Sequence, residues 1–115
     1  MLDKEKLKEL LLEHTFYISI DPQVRTIHID LGHTDINFSN DPDNIKKVNT
    51  TIVDVLDGFI KEITPKLQDY LIGADIDIDN DEHINYLLNT LNNKLYSNYL
   101  DQIDSLVNKI LIKLE

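Results

Sequence analysis

Two stretches hold the residue types that could do chemistry. The first runs from Thr15 to Ser39, TFYISIDPQVRTIHIDLGHTDINFS, and carries Tyr17, His28, Asp30, His33, Asp35 and Asn37 among its polar positions. The second is Asp75-Ile76-Asp77-Ile78-Asp79-Asn80-Asp81-Glu82, with carboxylates at Asp75, Asp77, Asp79, Asp81 and Glu82. Phenol, imidazole and carboxylate groups on one face can transfer protons, hold a divalent cation, or receive a lysine or arginine of a partner protein. The order H-x-D-x-x-H-x-D over His28, Asp30, His33 and Asp35 has the donor types of a metal site. His33, however, is expected in a turn, which leaves its direction open.

The opening D-x-D-x-D of the second stretch resembles the first half of an EF-hand calcium loop, where alternate carboxylates converge on the ion. The remainder departs from that pattern. Counted from Asp75, the glycine position is Asn80 and the closing bidentate glutamate is Tyr86; counted from Asp77, they are Glu82 and Leu88. Calcium or another divalent metal, held here or by His28, Asp30 and Asp35, therefore stands as the alternative. A solvated loop, with Asp79 or Asn80 capping the next helix, is the expected arrangement.

The elements that must position these groups follow from periodicity. Side chains alternate across a strand, so register decides which residues share a face. A two-residue turn at Gly32-His33 pairs Leu31 with Thr34, and a four-residue turn Asp21-Pro22-Gln23-Val24 pairs Ile20 with Arg25. Both turns put Phe16, Ile18, Ile20, Ile27, Ile29, Leu31, Ile36 and Phe38 on one face of a three-stranded antiparallel meander. The opposite face then carries Tyr17, Ser19, Thr26, His28, Asp30, Asp35, Asn37 and Ser39, with Tyr17, His28 and Asn37 in one row and Asp30 opposite Asp35. A sheet apolar on one side must be covered by helices on that side.

Those helices are legible around it. Residues 2–13 read as a helix with Asp3 as N-cap and Leu7, Leu10, Leu11 and His14 at helical spacing. A second starts at Asp41-Pro42 and keeps its apolar spacing to Ile63, after which Thr64-Pro65 either breaks it or kinks it, and Gly73 ends it. The remainder, 81–114, shows one stripe through Ile84, Leu88, Leu91, Leu95 and Tyr99 and a second from Ile103 to Leu114. The polar run at Asn92, Asn93, Ser97 and Asn98 suggests a break near Ser97 to Asp101, giving two packed helices or one bent one. The expectation is a single α+β domain of order α-β-β-β-α-α-α: N-terminal helix 2–13, meander 15–39, helical remainder 42–114. That α-β-β-β-α opening is similar in order to double-stranded-RNA-binding domains, which need a basic face that this chain lacks.

Composition narrows the function. The net charge is -10, and between Asp30 and Glu82 thirteen acidic residues face only Lys46, Lys47, Lys61 and Lys66. Phosphate backbones and anionic lipid are poor partners for such a segment, whereas a basic protein surface suits it. There is no cysteine, which removes disulfides and thiolate chemistry. Met1 leads into DKEKLKELLLEH rather than an apolar leader, and the expectation is a cytoplasmic protein. Three glycines and no nucleophile or phosphate-loop motif argue against an enzyme, and no cofactor is expected. The expected function is a non-enzymatic acidic module that docks a basic protein, through Tyr17, His28, Asp30, Asp35, Asn37, Asp75, Asp77, Asp79, Asp81 and Glu82. In type it looks like small bacterial or phage-encoded inhibitors, immunity proteins and secretion chaperones, and it could mimic nucleic acid toward its partner. A structural homodimer through the C-terminal helices is a further alternative, since their apolar stripes exceed what a small core needs.

Overall fold

Alternation in the first third and helical spacing beyond it are both realised. The computed structural model describes residues 3–32, 42–75 and 77–114. In chain order these form helix α1 (Lys4–Glu13), strands β1 (Tyr17–Asp21) and β2 (Thr26–Asp30), and two long helices, α2 (Pro42–Gly73) and α3 (Asp81–Leu114). The described fold is thus a mixed α+β arrangement of three helices and a two-stranded antiparallel sheet. The third strand of the expected meander, with Asp35, Asn37 and the Gly32-His33 turn partner, lies outside the described residues.

The register of the hairpin corrects the expected one. Tyr17 pairs with Asp30, Ser19 with His28 and Asp21 with Thr26, a slip of two residues. The loop is Pro22 to Arg25, and Arg25 stands at φ 53 in the left-handed region. Its guanidinium donates to the carbonyls of Ile72 (3.4 Å) and Ala74 (3.5 Å) at the end of α2, which supplies a tertiary reason for a residue with a Cβ to sit there. A slip of two leaves every side chain on its expected face. Phe16, Ile27 and Ile29 are buried, Ile18, Ile20 and Leu31 pack half-buried against the core, and Tyr17, Ser19, Thr26, His28 and Asp30 face outward. Gly32 has φ 77, and a Cβ on it would lie 2.8 Å from the Thr15 carbonyl oxygen, so only glycine fits that exit from β2.

Both long helices run without a break, which reduces the four expected helices to three. Pro65 sits inside α2, and both it and Lys61, whose carbonyl loses its helical N–H partner, are exposed residues. Thr64 Oγ1 donates back to the Ile60 carbonyl at 2.6 Å in the same turn. In α3 the polar run causes no break because Asn93 and Ser97 point to solvent and Asn98 Nδ2 donates to the Lys94 carbonyl at 2.9 Å. The buried line is Leu87, Leu91, Leu95, Tyr99, Ile103, Val107 and Ile110, so Leu87 takes the core position expected of Leu88. Steps of four residues rotate that line by about 40° each, which lets one helix serve different neighbours along its length.

Helices α2 and α3 form an antiparallel pair that gives the molecule its length of 51 Å. Helix α1 lies on α3, capped by the Asp3 carboxylate accepting from Glu5 N–H at 3.0 Å and fastened by the Lys8–Asp104 ion pair at 3.0 Å. The hairpin lies with β2 toward α2 and β1 toward α3. Gln68 of α2 accepts from Ile27 N–H at 2.9 Å and donates to the Arg25 carbonyl. Tyr96 of α3 accepts from Phe16 N–H at 2.9 Å on the β1 side.

Where α1, β1, α2 and α3 meet, aromatic rings fill the core. Phe16 stands edge-on to Tyr99 at 4.9 Å and to His14 at 4.8 Å, with Phe59 and Tyr96 completing the cluster. The buried Tyr99 hydroxyl donates to the Leu11 carbonyl at 2.7 Å, and burial pushes that phenol well above its ordinary titration range.

Candidate functional site

The outer face of the hairpin presents Tyr17, 62% exposed, opposite Asp30, and His28 opposite Ser19. The expected row of Tyr17 with His28 is therefore replaced by a diagonal, because the register is slipped by two. Asp30 turns part of its carboxylate back on the chain, its Oδ1 accepting from Gly32 N–H at 3.1 Å. Asp35 and Asn37, expected beside it, lie outside the described residues.

The second stretch forms the connection between α2 and α3, and its side chains organise that connection. Asn80 is the cap of α3, its Oδ1 accepting from Glu82 N–H at 3.1 Å and His83 N–H at 3.3 Å. Asp77 Oδ1 accepts from Asp79 N–H at 3.1 Å, and Asp77 N–H donates to His83 Nδ1 at 3.0 Å. That last bond fixes the ring proton of His83 on Nε2. Asp81 and Glu82 stand in the first turn of α3, where the exposed helix N-terminus favours negative charge. Asp75, Asp77, Asp79, Asp81 and Glu82 are all exposed. Within the stretch the Asp77 carboxylate closes a turn and the Asn80 amide caps α3. Among the described residues no three His, Asp or Glu side chains come together as a metal cluster would require.

Arg25 is what makes the two stretches neighbours. It is the one lysine or arginine between Thr15 and Ile45, and its bonds to the Ile72 and Ala74 carbonyls fasten the hairpin turn to the start of the acidic connection. Asp21 is at the same end, paired with Thr26 and accepting from Gln23 N–H at 3.1 Å. The two segments that Arg25 joins each carry an exposed apolar side chain, Val24 beside it in the turn and Ile72 at the end of α2. Tyr17 and Asp30 lie at the far end of the five-residue strands, about 13 Å away along the strand. The candidate surface is therefore acidic at both ends with an apolar, arginine-pinned middle.

Among the described residues the ion pairs are Lys8–Asp104 and Lys61–Asp57, and neither uses a carboxylate of the hairpin or the α2–α3 connection. Asp21, Asp30 and Asp77 accept from backbone N–H groups, and Asp75, Asp79, Asp81 and Glu82 are exposed. Arg25, Gln68 and Tyr96 were not singled out by sequence. Arg25 was detectable as the lone cation of an acidic stretch, whereas Gln68 and Tyr96 carry no local signal. No known protein family, no curated protein and no solved structure matches the chain.

Proposed function

We propose that the chain is a non-enzymatic, acidic protein-binding module that docks a basic protein partner through the outer face of the hairpin and the α2–α3 connection. The observation that carries this reading is the placement of Asp30, Asp75, Asp77, Asp79, Asp81 and Glu82, exposed and outside every described ion pair. Turn bonds hold the Asp30 and Asp77 carboxylates in place before any partner arrives, which lowers the ordering cost of binding. Opposite charge on the partner would speed encounter and select against acidic competitors. Inhibitors, immunity proteins and phage antagonists act in this way, and this chain fits that functional type.

The test is co-purification from the native host with the wild type and with a variant carrying Asp75→Asn, Asp77→Asn, Asp79→Asn, Asp81→Asn and Glu82→Gln. The substitutions keep the acceptor oxygens of the turn while removing its charge. One basic protein should be retained by the wild type, be released by salt, and bind the variant about tenfold or more weakly, at roughly 0.3 kcal/mol for each of the lost rim charges. Retention that survives high salt, equal retention by the variant, or the absence of any specific basic partner overturns the reading.

A further inference from the structure

The α2–α3 pair has a second flank. Asp54 and Glu62 of α2 and Lys109 and Lys113 of α3 face each other across a groove of about 190 Å³, with Val55, Phe59 and Leu106 as its floor. On a helical wheel Asp104, where α1 attaches, stands opposite Lys109 and Lys113, and Gln68, where the hairpin attaches, lies about a third of a turn from Glu62 and about 40° from Asp54. Asp54, Gly58, Glu62, Lys109 and Lys113 are all exposed, so this groove stays open beside α1 and the hairpin. Gly58 lies between the acidic residues, and a Cβ built on it would meet nothing within 4 Å, so the backbone of α2 is bare at the middle of the groove.

The two walls carry opposite charge, yet neither described ion pair crosses the groove. A uniformly basic partner of the kind suited to the acidic connection would meet Lys109 and Lys113 here. The surface that matches a groove with one acidic and one basic wall is the same groove turned about a two-fold axis parallel to the helices. That rotation lays α2 of one copy antiparallel on α3 of the other, at the same height along the rod. Asp54 and Glu62 then oppose the Lys109 and Lys113 of the second copy, twice over, and Gly58 lets the helices approach at the centre. The other two-fold arrangement, α2 on α2, would set carboxylate against carboxylate.

We infer that this groove is a self-complementary interface through which two copies of the chain form a charge-matched helical dimer. The occupant is a second copy, chosen by charge complementarity along both walls. A net charge of -10 on each chain opposes the association, which makes the dimer concentration-dependent rather than permanent.

Sedimentation velocity or light scattering over a micromolar to millimolar series tests this. The wild type should move from the 13.4 kDa chain mass to twice that value as concentration rises. Asp54→Lys with Glu62→Lys, and separately Lys109→Glu with Lys113→Glu, should each remain at the single-chain mass. All four residues are exposed, so the variants should keep the wild-type circular dichroism. Mixing the two variants restores opposite charges at all the contacts and should recover the doubled mass. A wild type that stays at the single-chain mass throughout, swaps that leave its dimer intact, or a mixture that fails to dimerise overturns the inference. Binding of a basic partner at the acidic connection is unaffected by these outcomes, so the two readings stand or fall separately.

Discussion

The aromatic junction and the acidic end of the molecule use polar atoms in opposite ways. At the junction, hydroxyl and imidazole groups reach across the fold: Tyr99 to Leu11, Tyr96 to Phe16 and His14 to Leu31, joining residues far apart in the chain. At the acidic end, Asp77, Asp79 and Asn80 bond only within a few residues of themselves. Long-range bonds to buried groups cost the fold heavily when broken, because the orphaned partner cannot reach water. Local bonds on an exposed loop are replaced by water at little cost. The difference assigns stability to one region and gives the other little part in holding the fold together.

The sharpest way to break that contrast is Phe16→Ala. Phe16 is 3% exposed and touches rings from α2 and α3 as well as His14. Removing a ring so placed should lower the unfolding free energy by about 3 to 5 kcal/mol, read by urea denaturation. A loss under about 1 kcal/mol would mean that the cluster closes around the space and does not hold the four elements together.

How far the sequence reached follows the same division. Faces were legible because alternation is a parity, and a two-residue slip preserves parity; Ile27 and Ile29 are buried and His28 exposed in either register. Rows were not, because the slip depends on Arg25 adopting a left-handed conformation fastened to α2, a contact of 47 and 49 residues in separation. The caps at Asp3 and Asn80 were legible because a cap is a local bond. The continuity of α2 across Pro65 was left open by periodicity and is settled by burial on the neighbouring positions Ile63 and Leu67. The choice between a broken and a continuous α3 was open in the same way, and burial of Leu95 and Tyr99 on either side of the polar run settles it as one helix. Of the candidate surface, the residues were legible but their adjacency was not. No local pattern shows that Asp21 and the 75–82 stretch share one end of the molecule.

A milder probe of the junction is acidity. His14 is half-buried, with Nε2–H donated to the Leu31 carbonyl at 2.6 Å and its ring against Phe16. Burial holds its pKa below the ordinary 6.5, and the bond to Leu31 opposes that shift with less weight. The unfolded chain therefore takes up the proton first. Stability from this site is complete above about pH 6.5 and falls as the pH drops below it toward the folded value. His14→Gln can still donate to Leu31 but does not titrate. Between about pH 7.5 and pH 5 the melting temperature of the wild type should fall further than that of the variant. Parallel falls would show that carboxylates elsewhere carry the acid response and that the junction does not sense it.

The smallest expected effect on folding falls at the acidic end, and its smallness is the point. The five-site variant Asp75→Asn, Asp77→Asn, Asp79→Asn, Asp81→Asn and Glu82→Gln retains side-chain oxygens for the turn and removes charge repulsion between close carboxylates. It also removes the favourable charges of Asp81 and Glu82 at the N-terminus of α3, a term of about 0.3 to 1 kcal/mol per residue at exposed sites. Relief of repulsion within an eight-residue stretch acts in the other direction at similar size. The net change in unfolding free energy should lie within about 1 kcal/mol of zero, measured beside Phe16→Ala under the same conditions. If the variant instead lost as much as Phe16→Ala, the carboxylates would be structural parts of the α2–α3 connection, and the contrast between the two regions would collapse.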